Sequence, residues 1–194
     1  MADTPIMDEI IARFDASTDS ADAARLAQVV SNITSSRATE ALVALAGDVA
    51  TPPRDALERA AISALGKIGD AQSVSYLLRK LEASPPGEGA YVFNTITSIS
   101  QPQAQAALLY AAAGNKEVSA DNGRTAAVQA LRNYPDERTC QLLENIITQE
   151  ENTRVATAAI RTLESIRKLS PHVTTPADDL RKAELGFTFP PLKK

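Results

Sequence analysis

A three-residue signature returns five times along this 194-residue chain: a small or aliphatic residue, an aliphatic residue four positions on, and an apolar residue three beyond that. The sets are Leu26/Val30/Ile33, Ala61/Leu65/Ile68, Val92/Ile96/Ile99, Ala127/Leu131/Tyr134 and Ala159/Leu163/Ile166. Residues at i, i+4 and i+7 share one face of a helix, so each set marks a helix with a face to bury. The last members stand 35, 31, 35 and 32 positions apart, a period of roughly 33 residues that belongs to stacked helical repeats. One such repeat cannot bury its apolar face alone; it needs neighbours. The expected fold is therefore all-α, an array of about five helical hairpins, and its function is expected on a surface.

The second unit shows the hairpin most fully. Residues 54–68 place Leu57, Ala61, Leu65 and Ile68 on one face and stop at Gly69, a residue suited to a helix C-terminus. Asp70 is a candidate N-cap for a second helix over 71–83, which carries Val74, Leu77, Leu78 and Leu81 on one side and ends at Pro85-Pro86-Gly87. Leu42, Leu108 and Leu143 stand where Leu77 stands, and Ala46, Ala112 and Ile147 where Leu81 stands. The Gly69-Asp70 junction recurs as Thr34-Ser35, Ser100-Gln101-Pro102 and Pro135-Asp136. Length variation collects at 51–53, 84–89 and 114–123, which puts insertions on one edge of the stack.

The repeats are expected to form one domain over residues 1–169. It would begin with a capping helix over about 5–15, with Ile6, Met7, Ile10, Ile11 and Phe14 on one side. Residues 170–194 read as a partly helical tail that caps the last repeat through Leu180, Leu185, Phe187 and Phe189.

The stretch Arg59 to Leu81 resembles the HEAT repeat, and within that group the HEAT-like repeats of phycobilisome lyases and their bacterial relatives. The likeness is carried by Ala60, Ala61, Ala64, Leu65, Gly66, Ile68, Gly69, Asp70, Val74 and Leu77. It extends through 124–147 and 154–166, and is fainter over 22–46 and 90–112. The resemblance implies a right-handed α-solenoid, an α-α superhelix with a concave face, acting as a noncatalytic scaffold or adaptor for a protein or peptide. It also implies two alternatives: a phycobilin lyase-like subunit, and a DNA-binding HEAT-like protein. The chain offers no motif for handling a tetrapyrrole, and 4% aromatic content argues against a large flat ligand. A net charge of −4 and the absence of Trp weigh against nucleic acid.

No catalytic, cofactor-binding or metal-binding set is expected. Cys140 occupies the register of Val74 and reads as a packed thiol. His172 is the one histidine and lies in the tail, so no zinc set forms. Gly87 and Gly89 lack the Lys-Ser/Thr of a phosphate loop, and the pairs Asp8/Glu9, Glu150/Glu151 and Asp178/Asp179 suit solvated helix ends. No apolar run reaches about 18 residues, which argues against a membrane span. The opening Met1-Ala2-Asp3-Thr4-Pro5 lacks signal-peptide character; together with a single cysteine this points to the cytoplasm.

What stands out is the polar ridge two, five and six positions after the first core residue of each set. It nominates Gln28, Asn32, Lys67, Asn94, Gln129, Arg132, Asn133 and Arg161 as partner-binding residues along the concave side. An ordinary solvated helix face is richer in Glu and Lys. Lys67, Arg132 and Arg161 form a basic line on an acidic protein, which predicts a partner with an acidic surface.

Overall fold

The repeated apolar triplets lie on, or just past the ends of, five helices and are buried except for Leu26 and Ile33, which are half-buried. In the computed structural model, residues 9–10, 12–13, 16, 20–47, 55–85, 87, 89–114 and 121–170 are described. Among them all regular structure is helical: α1 (Ser20–Ser31), α2 (Thr39–Gly47), α3 (Asp55–Ile68), α4 (Ala71–Ala83), α5 (Ala90–Ser98), α6 (Gln105–Ala112), α7 (Asp121–Ala130), α8 (Glu137–Gln149) and α9 (Thr153–Leu169). Short 3-10 turns at Ser36–Ala38 and Pro102–Ala104 lead into α2 and α6, and one at Leu131–Asn133 closes α7.

The odd-numbered helices lie side by side in chain order: α1 on α3, α3 on α5, α5 on α7, α7 on α9. Behind them α2, α4 and α6 form a second row, and α8 packs on α9. The seam between the rows is one continuous core running from Val30 and Leu42 through Leu65, Leu77, Ile96 and Leu108 to Leu143 and Ile166. Its lining is mostly Ala, Leu, Ile and Val, which lets helices approach closely in ridge-and-groove contact.

Two glycines shape the second unit. Gly69 has φ +59, the left-handed conformation that ends a helix at low cost only for glycine; its N–H donates to Leu65 O at 3.0 Å. Gly66 faces α5, and a Cβ there would lie 2.5 Å from Thr95 Cγ2. The close approach of α3 to α5 thus depends on a missing side chain.

Polar side chains peg each hairpin to the one before, and the pegs alternate. Asp70 caps α4 by accepting Ser73 N–H at 2.7 Å, while its other oxygen accepts Thr39 Oγ1–H at 2.8 Å. Asp136 caps α8 by accepting Thr139 N–H at 2.8 Å, and its other oxygen accepts from Gln105 Nε2. Thr39 and Gln105, like Asp70 and Asp136, stand 66 positions apart. At the corresponding place in the intervening units are Val74 and Cys140, which are apolar in character and fully buried. Gln101, where Asp70 and Asp136 have their carboxylates, makes no side-chain cap. Among the described residues this carboxylate contact between hairpins recurs at every second junction, while the junction between carries Gln103 Nε2 donating to Ile68 O at 2.9 Å.

Of the segment expected as an N-terminal capping helix, residues 9, 10, 12 and 13 are described. They are helical, Ile10 joins the core, and Arg13 pairs with Glu9 at 2.7 Å. The tail from 171 onward, with His172 and the expected capping residues, lies outside the described residues.

Candidate binding surface

The polar ridge maps onto the outer side of the odd-numbered row, but its members divide into two groups. Lys67 and Asn133 are turned toward the preceding repeat. Lys67 Nζ donates to Ser31 O at 2.6 Å and to Asn32 Oδ1 at 3.2 Å. Asn133, half-buried, donates through Nδ2 to Thr97 O at 3.1 Å and Ile99 O at 2.8 Å. These side chains satisfy carbonyls freed at the ends of α1 and α5, where a helix has no intrahelical donors left. Two other ridge positions are enclosed: Gly66 beneath Thr95, and Thr97, whose hydroxyl donates to Asn94 O at 3.1 Å. Both follow from the tight packing of neighbouring odd-numbered helices.

Gln28, Asn32, Lys67, Asn94, Arg132 and Arg161 are exposed, and Gln129 is half-buried. The structure brings Gln129 and Arg161 together in an open groove of about 490 Å³ that crosses three successive helices of the row. Phe93 of α5 and Thr125 and Gln129 of α7 form one side. Thr153, Arg154, Thr157, Ala158 and Arg161 of α9 form the other. Gln28, Asn32, Lys67, Asn94, Arg132 and Asn133 are not among its lining residues.

Sequence reasoning missed Phe93, Thr125, Arg154 and Thr157. Thr125 and Thr157 stand two positions before the first core residue of their sets, as Gln129 and Arg161 stand two after. One helical turn separates each pair, so adding this position to the ridge would have found them.

The groove is basic. Arg154 Nη1 donates to Asn122 Oδ1 at 2.7 Å, which fixes the guanidinium without neutralising it. Among the described residues neither Arg154 nor Arg161 has a carboxylate partner. Arg154 lies in the first turn of α9, whose first amides are taken by Asn152 Oδ1, which accepts from Arg154 N at 3.0 Å and Val155 N at 3.4 Å. The positive end of the helix dipole adds to the Arg154 charge.

Elsewhere the chemistry is quiet. Cys140 is fully enclosed, and burial pushes its thiol up to about 11, with Glu144 and Asp136 acting in the same direction against Arg167. Among the described residues no group of three His, Cys, Asp or Glu side chains is placed to hold a metal ion. No helix among them is long and apolar enough to cross a membrane.

Residues 57–83 match the PBS lyase HEAT-like repeat. The match spans most of α3, the Gly69-Asp70 junction and α4, so the repeat type inferred from Arg59 to Leu81 is present in that hairpin. No curated protein matches the chain.

Proposed function

We propose that this chain is a noncatalytic scaffold that holds a protein or peptide partner along the exposed face of its odd-numbered helices. In this reading about five hairpins wind as a right-handed solenoid, and the groove across α5, α7 and α9 is part of the contact surface. One observation carries the proposal: three successive repeats contribute side chains to one open groove, and its two arginines lack anionic partners within the described residues. Helices packed into a continuous core hold these groups in place before binding, so little ordering entropy is lost on association. The cations favour an acidic partner and would act mainly on encounter and specificity.

Site-specific photo-cross-linking tests this. A photoreactive residue at Asn94 or Arg132, on the proposed face, should give a protein adduct in native lysate. The same residue at Arg79 or Ala106, exposed on the even-numbered row, should not. Adducts formed only from the even-numbered row would overturn the assignment.

A further inference from the structure

We infer that the groove across α5, α7 and α9 receives an extended acidic peptide segment, with one carboxylate at Arg161, a second at Arg154 and an apolar side chain between them against Phe93. The inference rests on the scaffold reading above and names the occupant of its groove. Arg154 and Arg161 are seven residues apart on α9, two turns on the same side of the helix, or about 10.5 Å. A segment in the polyproline II conformation advances about 3.1 Å per residue with three residues per turn. Side chains three apart therefore project the same way at about 9.3 Å, a spacing that the long arginine side chains accommodate.

A polyproline II backbone makes no internal hydrogen bonds and leaves its amides and carbonyls for other partners. The groove wall supplies side chains that can both donate and accept, Gln129 on α7 and Thr157 on α9, whereas the buried Thr125 hydroxyl is spent on Asp121 O at 2.7 Å. With Nη1 of Arg154 held by Asn122, its remaining N–H donors are available to a carboxylate. The match is to a short segment with two charges. A nucleic-acid duplex carries a charge about every 1.7 Å and is held by many cations at once, whereas this groove presents two, on a chain of net charge −4.

The probe is a fluorescein-labelled hexapeptide, acetyl-PEPLEP-amide, followed by fluorescence anisotropy against the full chain. It should bind, and raising ionic strength should weaken it. PQPLQP should bind roughly tenfold more weakly, because charge-assisted hydrogen bonds are replaced by neutral ones. Arg154→Gln and Arg161→Gln should each weaken the acidic probe about three- to tenfold, while Arg79→Gln, exposed on α4 in the even-numbered row, should leave it unchanged. All three variants are checked for wild-type helicity. No binding of the acidic probe, equal binding of PQPLQP, or unaltered affinity in both groove variants would overturn the inference. Tighter binding of a ten-residue oligothymidylate would overturn it in favour of nucleic acid. If the probe fails while cross-links still form from Asn94 or Arg132, the groove assignment falls and the scaffold reading stands. Cross-links confined to the even-numbered row would remove both.

Discussion

Lys80 and Arg124 hold equivalent backbone carbonyls, 66 positions apart, from different helices of their hairpins. Lys80 on α4 donates to Ala46 O at 2.8 Å and pairs with Glu58 of α3 at 2.7 Å. Arg124 on α7 donates through Nε to Ala112 O at 3.1 Å and pairs through Nη2 with Glu150, at the end of α8. Glu58 and Arg124 occupy the same register with opposite charge, so the ion pair is reversed while the carbonyl it serves is kept. The Arg124–Glu150 pair is the more enclosed, at 12% and 10% side-chain exposure against 17% and 28% for Lys80 and Glu58. Arg124→Ala, which leaves the half-buried Glu150 carboxylate only backbone amide partners, should cost about 2 kcal/mol. Lys80→Ala should cost about 1 kcal/mol. Urea unfolding of the two variants checks the order.

The same pair gives the stability an acid limb. Burial pushes the Glu150 carboxyl up, but the hydrogen bond from Arg124, the Asn152 amide, the charge of Arg124 and the Glu151 amide together hold it below its ordinary value of 4.5. A depressed folded-state pKa contributes stability that is full above the unfolded value and is lost as pH falls through the folded one. Glu150→Gln should therefore lose stability relative to wild type above pH 4.5 and converge toward it at lower pH. Thermal melts across that window check it.

Gly66→Ala should destabilise by about 1–3 kcal/mol, because the new methyl overlaps Thr95 Cγ2 in a packed contact. Thr95→Ser removes that methyl and keeps the hydroxyl, which donates to Tyr91 O at 3.0 Å. The double variant should recover most of the loss. A cycle showing simple additivity would mean that the two residues do not meet.

Ser73 Oγ is buried with no hydrogen-bond partner. Its counterpart Thr139 lies within 3.4 Å of Gln105 Nε2, but Thr39, in the place of Gln105, spends its one hydroxyl proton on Asp70. Ser73→Ala should thus raise stability by about 1 kcal/mol, measured as an increased denaturation midpoint.

Cys140 should react with Ellman's reagent at pH 8 only at the rate at which the fold opens. Its thiol is enclosed and, at about 11, almost wholly protonated there. Denaturant should bring the reaction to full speed, and a fast native reaction would contradict the packing at this position.

The helices, their junctions and the caps at Asp70 and Asp136 were legible because each depends on local periodicity or on a residue type with one strong conformational use. The alternation of contacts between hairpins was not legible, because it depends on Thr39 meeting Asp70 and Gln105 meeting Asp136 across units. The ridge was harder. Lys67 and Asn133 are polar at exposed-face positions, and the pattern of one helix cannot tell open solvent from a carbonyl offered by the preceding repeat. Arg154 stayed hidden because it stands five residues before the core set of its helix, and Phe93 because an aromatic beside a core position reads as core.

Because the capping partners alternate, the chain has a parity. Copying the α3–α4 hairpin would face the Asp70 carboxylate with Val74, and copying the α5–α6 hairpin would face Gln105 with the Gln101-Pro102 turn. Copying a couplet would join every donor to an acceptor again. A break inside the couplet would leave the Asp70 or Asp136 carboxylate without its partner from the preceding hairpin.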